Sequence, residues 1–412
     1  MNGQRPRIVV VGGGPAGTLA AIAARQQNPA AEVTLLTDEA CEPYEKPPLS
    51  KAVLLGKARP SDAAIAGPGG IASHGVRLEC GARCVALDRG ARTVRLEDGR
   101  SIRYDALVLA TGSLVRDLPQ LPPGTPRVHY LRTHADADAL RAALPHTAHL
   151  LVIGGGLIGL EVAASAAQLG VRTTVLELAP RILSRVCDEE TAAVIHDAHR
   201  QHGVDIRVGV AIRSADAQPD GSIRAVLSTG ETVTATLVVV GTGVKPDDRL
   251  AADAGLAVDD GIVVDELCRT SDPVIYAAGD VVRFPGPHGP VRLENWRHAQ
   301  EHGTVAGRNA AGAQVPYVTI PSFWSEQYDL YIQGVGWGST AAERVRRQTK
   351  PNAAVVFEVS EGRLVYASGR NAQREIAAAR RLIERRVPVE PAALADPARP
   401  LSSLLTRTAP DR

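Results

Sequence analysis

Two stretches of the chain share one order of apolar and polar positions. The apolar run Ile8–Val11 leads into a Gly-rich turn, an Ala-rich segment and a second apolar run, Val33–Leu36. The same order recurs between Leu150–Ile153 and Thr174–Leu176. Short apolar runs on either side of a segment with helical composition predict a strand, a helix and a second strand. The chain therefore contains two predicted β-α-β units.

The repeat extends past each unit. Residues 96–112 and 227–243 have the same length and align without a gap. Each contains a Gly turn, a polar strand and a buried apolar strand that ends in Thr-Gly. An internal repeat of this size indicates a duplicated domain and not the short period of a solenoid.

The remaining sequence predicts a return of the chain and a third domain. After residue 244 the chain passes through the apolar run Val274–Ala277 to Gly279-Asp280, and we expect this return to complete the first domain's sheet. A strand-like alternation at Ala354–Val359 and an Arg-rich helical stretch at Asn371–Arg386 follow. We predict an α/β fold with two Rossmann-type domains and a C-terminal α+β domain. The predicted limits are 1–115 with 245–322 for the first domain, 116–244 for the second and 323–412 for the third.

Both Gly-rich turns read GxGxxG, from Gly12 to Gly17 and from Gly154 to Gly159. Glycines at this spacing permit a tight turn and let the backbone approach a pyrophosphate, and the helix that follows offers N–H groups to an anion. One such motif is weak evidence, but two that follow strands and open helices predict two dinucleotides on one chain. We expect a protein with two redox dinucleotides to pass electrons from one to the other.

The residue that ends the second strand differs between the two units. In the second unit it is Glu177, whose carboxylate can accept hydrogen bonds from ribose hydroxyls and would repel a 2′-phosphate. This favours NADH over NADPH. The aligned residue in the first unit is Thr37, and the ribose contacts are expected from the next two residues, Asp38 and Glu39.

A third motif, residues 44–51, contains two prolines that fix an extended turn before Lys51. A lysine held beside flavin N5 and O4 would stabilise the negative charge of the reduced ring. Glu161 lies on the first turn of the second GxGxxG helix and is expected to keep Lys51 charged and oriented. Two late motifs complete a predicted flavin site. Asp280 is expected at the ribityl hydroxyls, and Trp296 and Trp324 are expected near the ring.

Composition excludes several classes of protein. The chain has 412 residues, 44% of them hydrophobic and 22% charged, and a net charge of +1, which predicts no general affinity for nucleic acid or anionic membranes. Apolar runs fall well short of the ~20 residues of a membrane span. The N-terminal residues 1–7 lack a signal-peptide core, so a cytoplasmic protein is predicted.

The five cysteines form neither a CxxC nor a CxxxxC motif. This argues against a redox-active dithiol and, because Cys80 and Cys84 lack a second pair, against a metal site. Cys41 lies just upstream of the third motif and leaves a peroxide-handling role open.

Eight motifs occur in order: GxGxxG, KPPLSK, ATG, GGGxIGxE, GTGVxPD, AAGD, a Glu-Asn-Trp stretch and FWSEQYD. In this order the chain resembles the FAD-dependent NADH:ferredoxin reductases, which include putidaredoxin reductase-like enzymes and the reductase components of aromatic-ring dioxygenases. The resemblance covers about residues 7–400, and PPLSK together with FWSEQYD is its most specific part.

The resemblance implies a glutathione-reductase-like fold with an FAD-binding, an NAD-binding and a C-terminal domain. It also implies hydride transfer from NADH to FAD and single-electron transfer to an acidic [2Fe-2S] ferredoxin that serves a terminal oxygenase. It assigns Lys51 and Glu161 to flavin N5 as the catalytic pair, without a metal. The residues expected to contact the cofactors are Gly12, Gly14, Pro15, Ala16, Gly17, Asp38, Glu39, Lys46, Pro47, Lys51, Val85, Ala110, Thr111, Gly112, Arg116, Gly154, Gly156, Leu157, Ile158, Gly159, Glu161, Glu177, Arg185, Gly241, Thr242, Gly243, Gly279, Asp280, Glu294, Asn295, Trp296 and Trp324.

Two alternatives remain open at this point. One is a related flavoenzyme that reduces oxygen, peroxide, rubredoxin or a disulfide. The other is an interaction flavoprotein of the apoptosis-inducing-factor type that binds DNA, which the near-zero net charge disfavours. For a ferredoxin partner, residues 341–386 carry 11 Lys or Arg against 5 Glu, which predicts a basic docking surface.

Overall fold

This computed structural model of the chain describes residues 5–339 and 341–406. The chain divides into two compact units. The first contains the described residues up to Pro48 together with Ala58–Leu114 and Val244–Thr319. The second contains Leu49–Lys57, Val115–Gly243 and the described residues from Ile320 onward. The short segment Leu49–Lys57 therefore belongs to the second unit, although the sequence pattern assigned it to the first domain.

The first unit is built on a five-stranded parallel sheet. The strands lie in the order Ile275–Ala277, Ala106–Leu109, Arg7–Val11, Glu32–Leu36 and Arg77–Glu79. The return of the chain thus adds Ile275–Ala277 to the sheet edge, with Tyr276 opposite Val108. The central strands are almost wholly apolar because a parallel sheet is covered on both faces.

Two helices of the first unit, Pro15–Gln27 and Trp296–Ala310, pack closely against each other. A Cβ atom at Gly303 would lie 2.1 Å from the carbonyl oxygen of Ala16, and one at Gly307 would lie 2.0 Å from that of Ala20. Only glycine at these two positions lets the helix backbones come so near. The contact joins the last helix of the unit to the helix of the first GxGxxG motif.

Smaller elements complete the first unit. Its short helix is Arg249–Asp253, and its 3₁₀ turns are Pro60–Ala63, Ile71–His74 and Gly279–Val281. Cys84–Asp88, Thr93–Leu96 and Ser101–Arg103 form an antiparallel sheet, and Ile262–Val263, Val282–Gly286 and Gly289–Val291 form a mixed sheet. Val244–Pro246 pairs with Ser113–Val115, whose last residue belongs to the second unit.

The second unit repeats the parallel sheet of the first. Its strands lie in the order Asp205–Val208, Arg172–Glu177, His149–Ile153, Leu237–Val240 and Val128–Tyr130. Its helices are His134–Ala143, Leu157–Gln168 and Glu189–Gln201, and Leu144–His146 is a 3₁₀ turn. The 3₁₀ turn Pro47–Ser50 begins in the first unit and ends in the second. The strand-rich insert is the antiparallel sheet Ile212–Ala217, Ile223–Leu227 and Thr232–Ala235.

An antiparallel sheet forms the C-terminal part of the second unit. Its strand order is Ser322–Gln327, Leu330–Gly336, Arg363–Arg370, Ala353–Ser360 and Glu343–Lys350. Helices Gln373–Glu384 and Pro391–Ala395 and the 3₁₀ turn Leu401–Thr406 follow. Phe357, Leu382 and Leu394 are buried in a core of this part. Among the described helices, none combines the length and the apolar character needed to cross a membrane.

Candidate functional site

The first GxGxxG turn has the geometry of an anion-binding helix start. Gly12 has φ +114°, and a Cβ atom there would lie 2.1 Å from the carbonyl oxygen of Ala110. A Cβ atom at Gly17 would lie 1.9 Å from the Gly12 oxygen, whereas one at Gly14 would meet nothing within 4 Å. Gly14 is also the N-cap of the helix, whose first turn has no acidic residue. Open space, free backbone donors and the helix dipole together fit a pyrophosphate.

The second GxGxxG turn repeats this geometry. Gly154 has φ +112°, and a Cβ atom there would lie 2.3 Å from the Gly241 oxygen. At Gly159 a Cβ atom would lie 2.1 Å from the Gly154 oxygen, and at Gly156 it would again meet nothing within 4 Å. The helix that begins at Leu157 also lacks an acidic residue in its first turn, so Glu161, its fifth residue, lies just beyond the turn in which it was predicted. The structure thus brings both predicted turns against their Thr-Gly strand ends and leaves room for a phosphate at each.

Glu177 lies directly beside the second turn. Its carboxylate accepts hydrogen bonds from the N–H groups of Gly155, at 2.6 Å, and of Ala179, at 2.7 Å. In the first unit Thr37 takes the same place, since a Cβ atom at Gly13 would lie 2.5 Å from its hydroxyl oxygen. Asp38 is exposed. The second turn therefore carries a negative charge where the first carries a hydroxyl group.

Two arginines flank the Thr-Gly end of the second sheet. If Gly243 carried a Cβ atom, the nearest atoms to it would be Arg116 Cδ, at 3.8 Å, and Arg185 Nη2, at 4.0 Å. The hydroxyl of Thr242 donates to the carbonyl oxygen of Arg116 at 3.1 Å. These predicted residues therefore form one basic cluster.

Arg181, which was not predicted as a site residue, organises the loop that follows Glu177. Its guanidinium donates to the carbonyl oxygens of Ile182, Leu183, Ser184 and Cys187 at 3.0 to 3.3 Å. An arginine in a loop gives no such signal from its position in the sequence, because the bonds depend on how the loop folds back.

Lys51 and Glu161 form the predicted ion pair within the second unit. Lys51 Nζ lies 3.0 Å from Glu161 Oε2, and the side chains are 19% and 3% exposed. The hydroxyl of Ser50 also donates to Oε2, and that of Ser325 donates to Oε1 at 2.6 Å. The buried carboxylate thus accepts three hydrogen bonds, which a charge shielded from water needs. Neither serine was predicted as a site residue, although Ser50 lies in the motif PPLSK and Ser325 in the motif FWSEQYD.

The Gly279-Asp280 loop of the first unit lies against the first GxGxxG helix. Gly279 has φ +82°, and a Cβ atom there would lie 2.7 Å from Ala16 Cβ. Ser113 donates its hydroxyl to Asp280 at 3.2 Å. Thr111, which precedes Gly112 at the sheet end, donates to the carbonyl oxygen of Asp247 at 2.7 Å. Predicted residues from three separate motifs therefore meet at the carboxyl ends of the parallel strands.

A buried histidine supports this loop and was missed in the sequence. His302 accepts a hydrogen bond from the Gly279 N–H at Nδ1, 3.2 Å away, and its Nε2 lies 3.4 Å from Cys268 Sγ. Burial holds the pKa of His302 well below its ordinary value and lowers that of His298 to about 4. Both imidazoles are therefore neutral near pH 7.

Two other predicted residues of the first unit, Lys46 and Trp296, each bind a glutamate side chain. Lys46 Nζ lies 2.9 Å from Glu39 Oε1, and Trp296 Nε1 donates to Glu45. Burial raises the pKa of Glu45, and the Trp296 hydrogen bond opposes that rise. Pro47 follows Lys46 and opens the 3₁₀ turn Pro47–Ser50.

The predicted residues before the last helix of this unit have different contacts. Asn295 caps the helix by accepting from the His298 N–H at 2.8 Å. Glu294 is exposed and pairs with Arg292 at 2.6 Å.

Three predicted contacts remain, and two of them lie outside the Gly-rich turns. Val85 is 40% exposed on the strand Cys84–Asp88 of the small antiparallel sheet. Trp324 lies opposite Gln333 in the C-terminal sheet of the second unit. Ile158 is 47% exposed on the second GxGxxG helix. Their roles stay predictions.

The thiols are not activated. Burial raises the pKa of Cys41, and a nearby Glu39 raises it further. Because the thiolate is the reactive form, this environment disfavours a nucleophilic role for Cys41.

Comparisons with known proteins agree with this geometry. Residues 6–303 match the pyridine nucleotide-disulphide oxidoreductase family, and residues 322–405 match the reductase C-terminal domain. The ferredoxin–NAD(+) reductase component of the p-cumate 2,3-dioxygenase system of Pseudomonas putida is 38% identical, over 96% of this chain and 97% of that protein. The corresponding component of the anthranilate 1,2-dioxygenase system of Burkholderia cepacia is 39% identical over 96% and 98%.

A solved structure extends the similarity to the fold. Putidaredoxin reductase, in its covalent complex with putidaredoxin, superimposes with a TM-score of 0.91 and 35% identity over 97% of this chain and 98% of that one. This agreement confirms the predicted fold class. The chain belongs to the pyridine nucleotide-disulphide oxidoreductase family.

Proposed function

We propose that this protein is an FAD-dependent NADH:ferredoxin oxidoreductase. Family membership confirms the predicted enzyme class, a flavoprotein oxidoreductase that uses FAD and NADH. The observation that carries the proposal is the repeated GxGxxG turn, open at Gly14 and at Gly156, in which the Glu177 carboxylate stands at the second turn where the Thr37 hydroxyl stands at the first. Two similar but unequal sites fit two different dinucleotides.

The first unit is the proposed FAD-binding part. Its open turn at Gly14 fits the pyrophosphate, and Asp280 and Trp296 are the proposed ribityl and ring contacts. When bound, FAD supplies a redox centre that takes two electrons together and gives them up singly. The chain's task is to bind and orient it and to exclude water.

The second unit contains the proposed NADH site. Gly156 leaves room for the pyrophosphate, and Arg116 and Arg185 offer positive charge beside Gly243. Glu177 is the proposed ribose ligand, because its carboxylate stands at the turn and would repel a 2′-phosphate. The predicted domain limits and the full set of contact residues remain part of this proposal.

Lys51 and Glu161 are the proposed catalytic pair. What supports this role is the buried carboxylate that holds the Lys51 ammonium at 3.0 Å. An oriented ammonium can stabilise negative charge as it develops on a reduced ring, without reorganisation of solvent.

The proposed electron acceptor is an acidic [2Fe-2S] ferredoxin that serves an oxygenase. The relatives supporting this are named as ferredoxin–NAD(+) reductase components of dioxygenase systems. The basic surface predicted for docking needs correction. Arg347 and Arg370 are 3% and 6% exposed, so they do not belong to it. Arg347 donates to the carbonyl oxygens of Leu394 and Arg399, and Arg370 pairs with Glu190.

A smaller surface remains for docking. Arg374, Arg381 and Arg385 are exposed, and their spacing of seven and four residues puts them on one face along the helix Gln373–Glu384 and its end. These three residues, named here the basic helix face, are the proposed contact for the ferredoxin.

The first alternative predicted other acceptors, namely oxygen, peroxide, rubredoxin or a disulfide. A relative named rubredoxin–NAD(+) reductase, from Ectopseudomonas oleovorans, is 36% identical over 80% of this chain, so rubredoxin is the acceptor to compare. The sequence has no CxxxxC motif for a dithiol mechanism, and the environment of Cys41 disfavours peroxide chemistry. The cytoplasmic location stays a prediction.

One experiment tests the proposal. Protein reconstituted with FAD is given NADH and, in parallel, a bacterial [2Fe-2S] ferredoxin, a rubredoxin or oxygen alone. We expect one FAD per chain and reduction of the ferredoxin much faster than that of the other two acceptors. Faster reduction of rubredoxin or oxygen would contradict the proposed acceptor, and failure to bind FAD would contradict the proposal as a whole.

A further inference from the structure

The FWSEQYD segment contributes three polar side chains to a hydrogen-bond network that ends at the Lys51–Glu161 pair. Ser325 and Gln327 are two residues apart on the strand Ser322–Gln327, so they point to the same face, and they are 0% and 1% exposed. Tyr328 follows at φ +57° in the turn to the next strand. All of these residues belong to the second unit, as do Lys51 and Glu161.

The hydrogen bonds form a continuous chain from Tyr328 to Glu161. The hydroxyl of Tyr328 lies 3.1 Å from His199 Nδ1, and His199 Nε2 lies 2.8 Å from Gln327 Oε1. Gln327 Nε2 donates to Ser325 Oγ at 3.1 Å, and Ser325 donates to Glu161 Oε1 at 2.6 Å.

Chemistry fixes the direction of every bond in this chain. The amide oxygen of Gln327 can only accept, so His199 Nε2 carries the proton and Nδ1 accepts from Tyr328. Burial lowers the pKa of His199 to about 4, which keeps the imidazole neutral and this tautomer possible at pH 7. The single hydroxyl proton of Ser325 is directed to the carboxylate. All four bonds therefore point toward Glu161.

Such an arrangement acts on the orientation of the carboxylate. Lys51 and Ser50 bind Oε2, and Ser325 binds Oε1 from the other end. Donors on both oxygens fix the rotation of the carboxylate plane, and bonds aligned in one direction strengthen each other in a buried environment. Without Ser325, Oε1 loses the donor that holds it in place.

We propose that Ser325, Gln327 and His199 are positioning residues for the reduction of the flavin by NADH, acting through Glu161 on Lys51. The inference rests on the proposed function of the Lys51–Glu161 pair. It gives the FWSEQYD segment a role in the reaction beyond joining the C-terminal sheet to the helices Leu157–Gln168 and Glu189–Gln201.

The test measures the limiting rate of flavin reduction at saturating NADH, without oxygen, on the FAD-loaded protein. Ser325→Ala is expected to slow this rate about tenfold to a hundredfold, the size of one hydrogen bond to a charged group. FAD content and the apparent Kd for NADH should not change. Gln327→Leu, one step further away, should give a smaller loss of the same kind and serves as the second variant if Ser325→Ala does not hold FAD.

Coupling to Glu161 separates positioning from a merely structural role. In a Glu161→Gln background, Ser325→Ala should cause little further loss, because the carboxylate on which it acts is gone. Ser222→Ala is the matched control, since Ser222 is a buried serine of the same unit whose hydroxyl donates to Asp220 in the turn before the strand Ile223–Leu227. This control should leave the limiting rate unchanged.

Two results would overturn the inference. One is a wild-type limiting rate in Ser325→Ala, and the other is an undiminished loss in the Glu161→Gln background. If Glu161→Gln itself reduces flavin at the wild-type rate, the proposed function of the pair fails and the inference fails with it. If only Ser325→Ala is neutral, the proposed function stands and the inference alone is rejected.

Discussion

The carboxylate of Glu177 and the N–H group of Gly155 are joined by a hydrogen bond of 2.6 Å. A negative charge is thereby held at the Gly turn of the second unit, where the adenosine ribose of a dinucleotide is proposed to bind. A 2′-phosphate would approach this carboxylate closely, and two negative charges at such a distance repel each other strongly.

We expect Glu177→Ala to weaken NADH binding and to narrow the preference over NADPH by about 1–3 kcal/mol, the size of a lost charged hydrogen bond. The measurement is kcat/KM for both nucleotides. Asp216→Ala is the matched control, because this exposed carboxylate lies on the strand Ile212–Ala217 of the same unit and is not among the proposed cofactor contacts. If the unmodified protein used NADPH as well as NADH, Glu177 would not be the selecting residue.

Lys51→Met should slow flavin reduction by NADH about tenfold to a hundredfold while FAD stays bound, because the ammonium is lost and the carboxylate remains. Glu161→Gln should give a comparable loss. Since the two side chains form one ion pair at 3.0 Å, the double variant should be scarcely slower than either single one. Losses that multiply in the double variant would show that the pair does not act as a unit.

Local sequence was sufficient to predict the two dinucleotide units, because the positions at Gly12 and Gly154 require glycine for reasons that the motif itself expresses. The Arg-rich helix was also predicted at nearly its observed place, and it begins just after Asn371, which has φ +49°. The Lys51–Glu161 pair was predicted from two separate motifs. Its contact with Ser325, 164 residues away from Glu161, depends on tertiary packing.

The count of charged residues predicted the basic docking surface incorrectly, because burial of an arginine also depends on tertiary packing. It treats every arginine between residues 341 and 386 as a surface charge. Strand alternation turns Arg347 inward, where backbone carbonyl groups bind its guanidinium, and Arg370 pairs with Glu190 at 3.2 Å. Which face of a strand is buried is decided by the neighbouring strands and helices, and a charge count has no access to it.

Acid should destabilise the protein through its buried histidines. Burial lowers the pKa of His199 and of His298 to about 4, and it holds that of His302 well below its ordinary value. The unfolded chain takes up these protons near ~6.5, so the stability is fully present above that pH and is lost as the pH falls toward 4. The loss should reach several kcal/mol, because each tenfold difference in proton affinity between the folded and the unfolded chain is worth about 1.4 kcal/mol.

Urea unfolding at several pH values measures this loss. His302→Gln should reduce the pH dependence, because an amide oxygen can accept from the Gly279 N–H and does not titrate. Thr304→Ala is the control, because it changes the same helix, Trp296–Ala310, without removing a titratable group, and the pH dependence should stay that of the unmodified protein. A stability that is constant from pH 7 to 4.5 would contradict the assignment of neutral buried imidazoles.

Ferredoxin should dock by charge on the basic helix face. Its members Arg374, Arg381 and Arg385 are exposed, whereas Arg346 is paired with Glu190 and Arg344 with Glu358. Replacing the three members by Glu should lower ferredoxin-dependent turnover by slowing association, and should leave NADH oxidation with a small neutral acceptor unchanged. Arg213→Glu is the matched control, because Arg213 is an exposed arginine on the strand Ile212–Ala217 of the same unit.

Salt provides a second measurement of the same contact. As the Debye length shrinks through roughly 0.05–0.3 M salt, ferredoxin reduction by the unmodified protein should fall steeply, while reduction of the neutral acceptor barely changes. The triple variant should start low and respond little to salt, because the attraction that salt screens has already been removed. A wild-type salt response in the triple variant would place the docking charges elsewhere on the protein, and ferredoxin reduction that does not depend on salt would reject electrostatic docking while leaving the enzyme class intact.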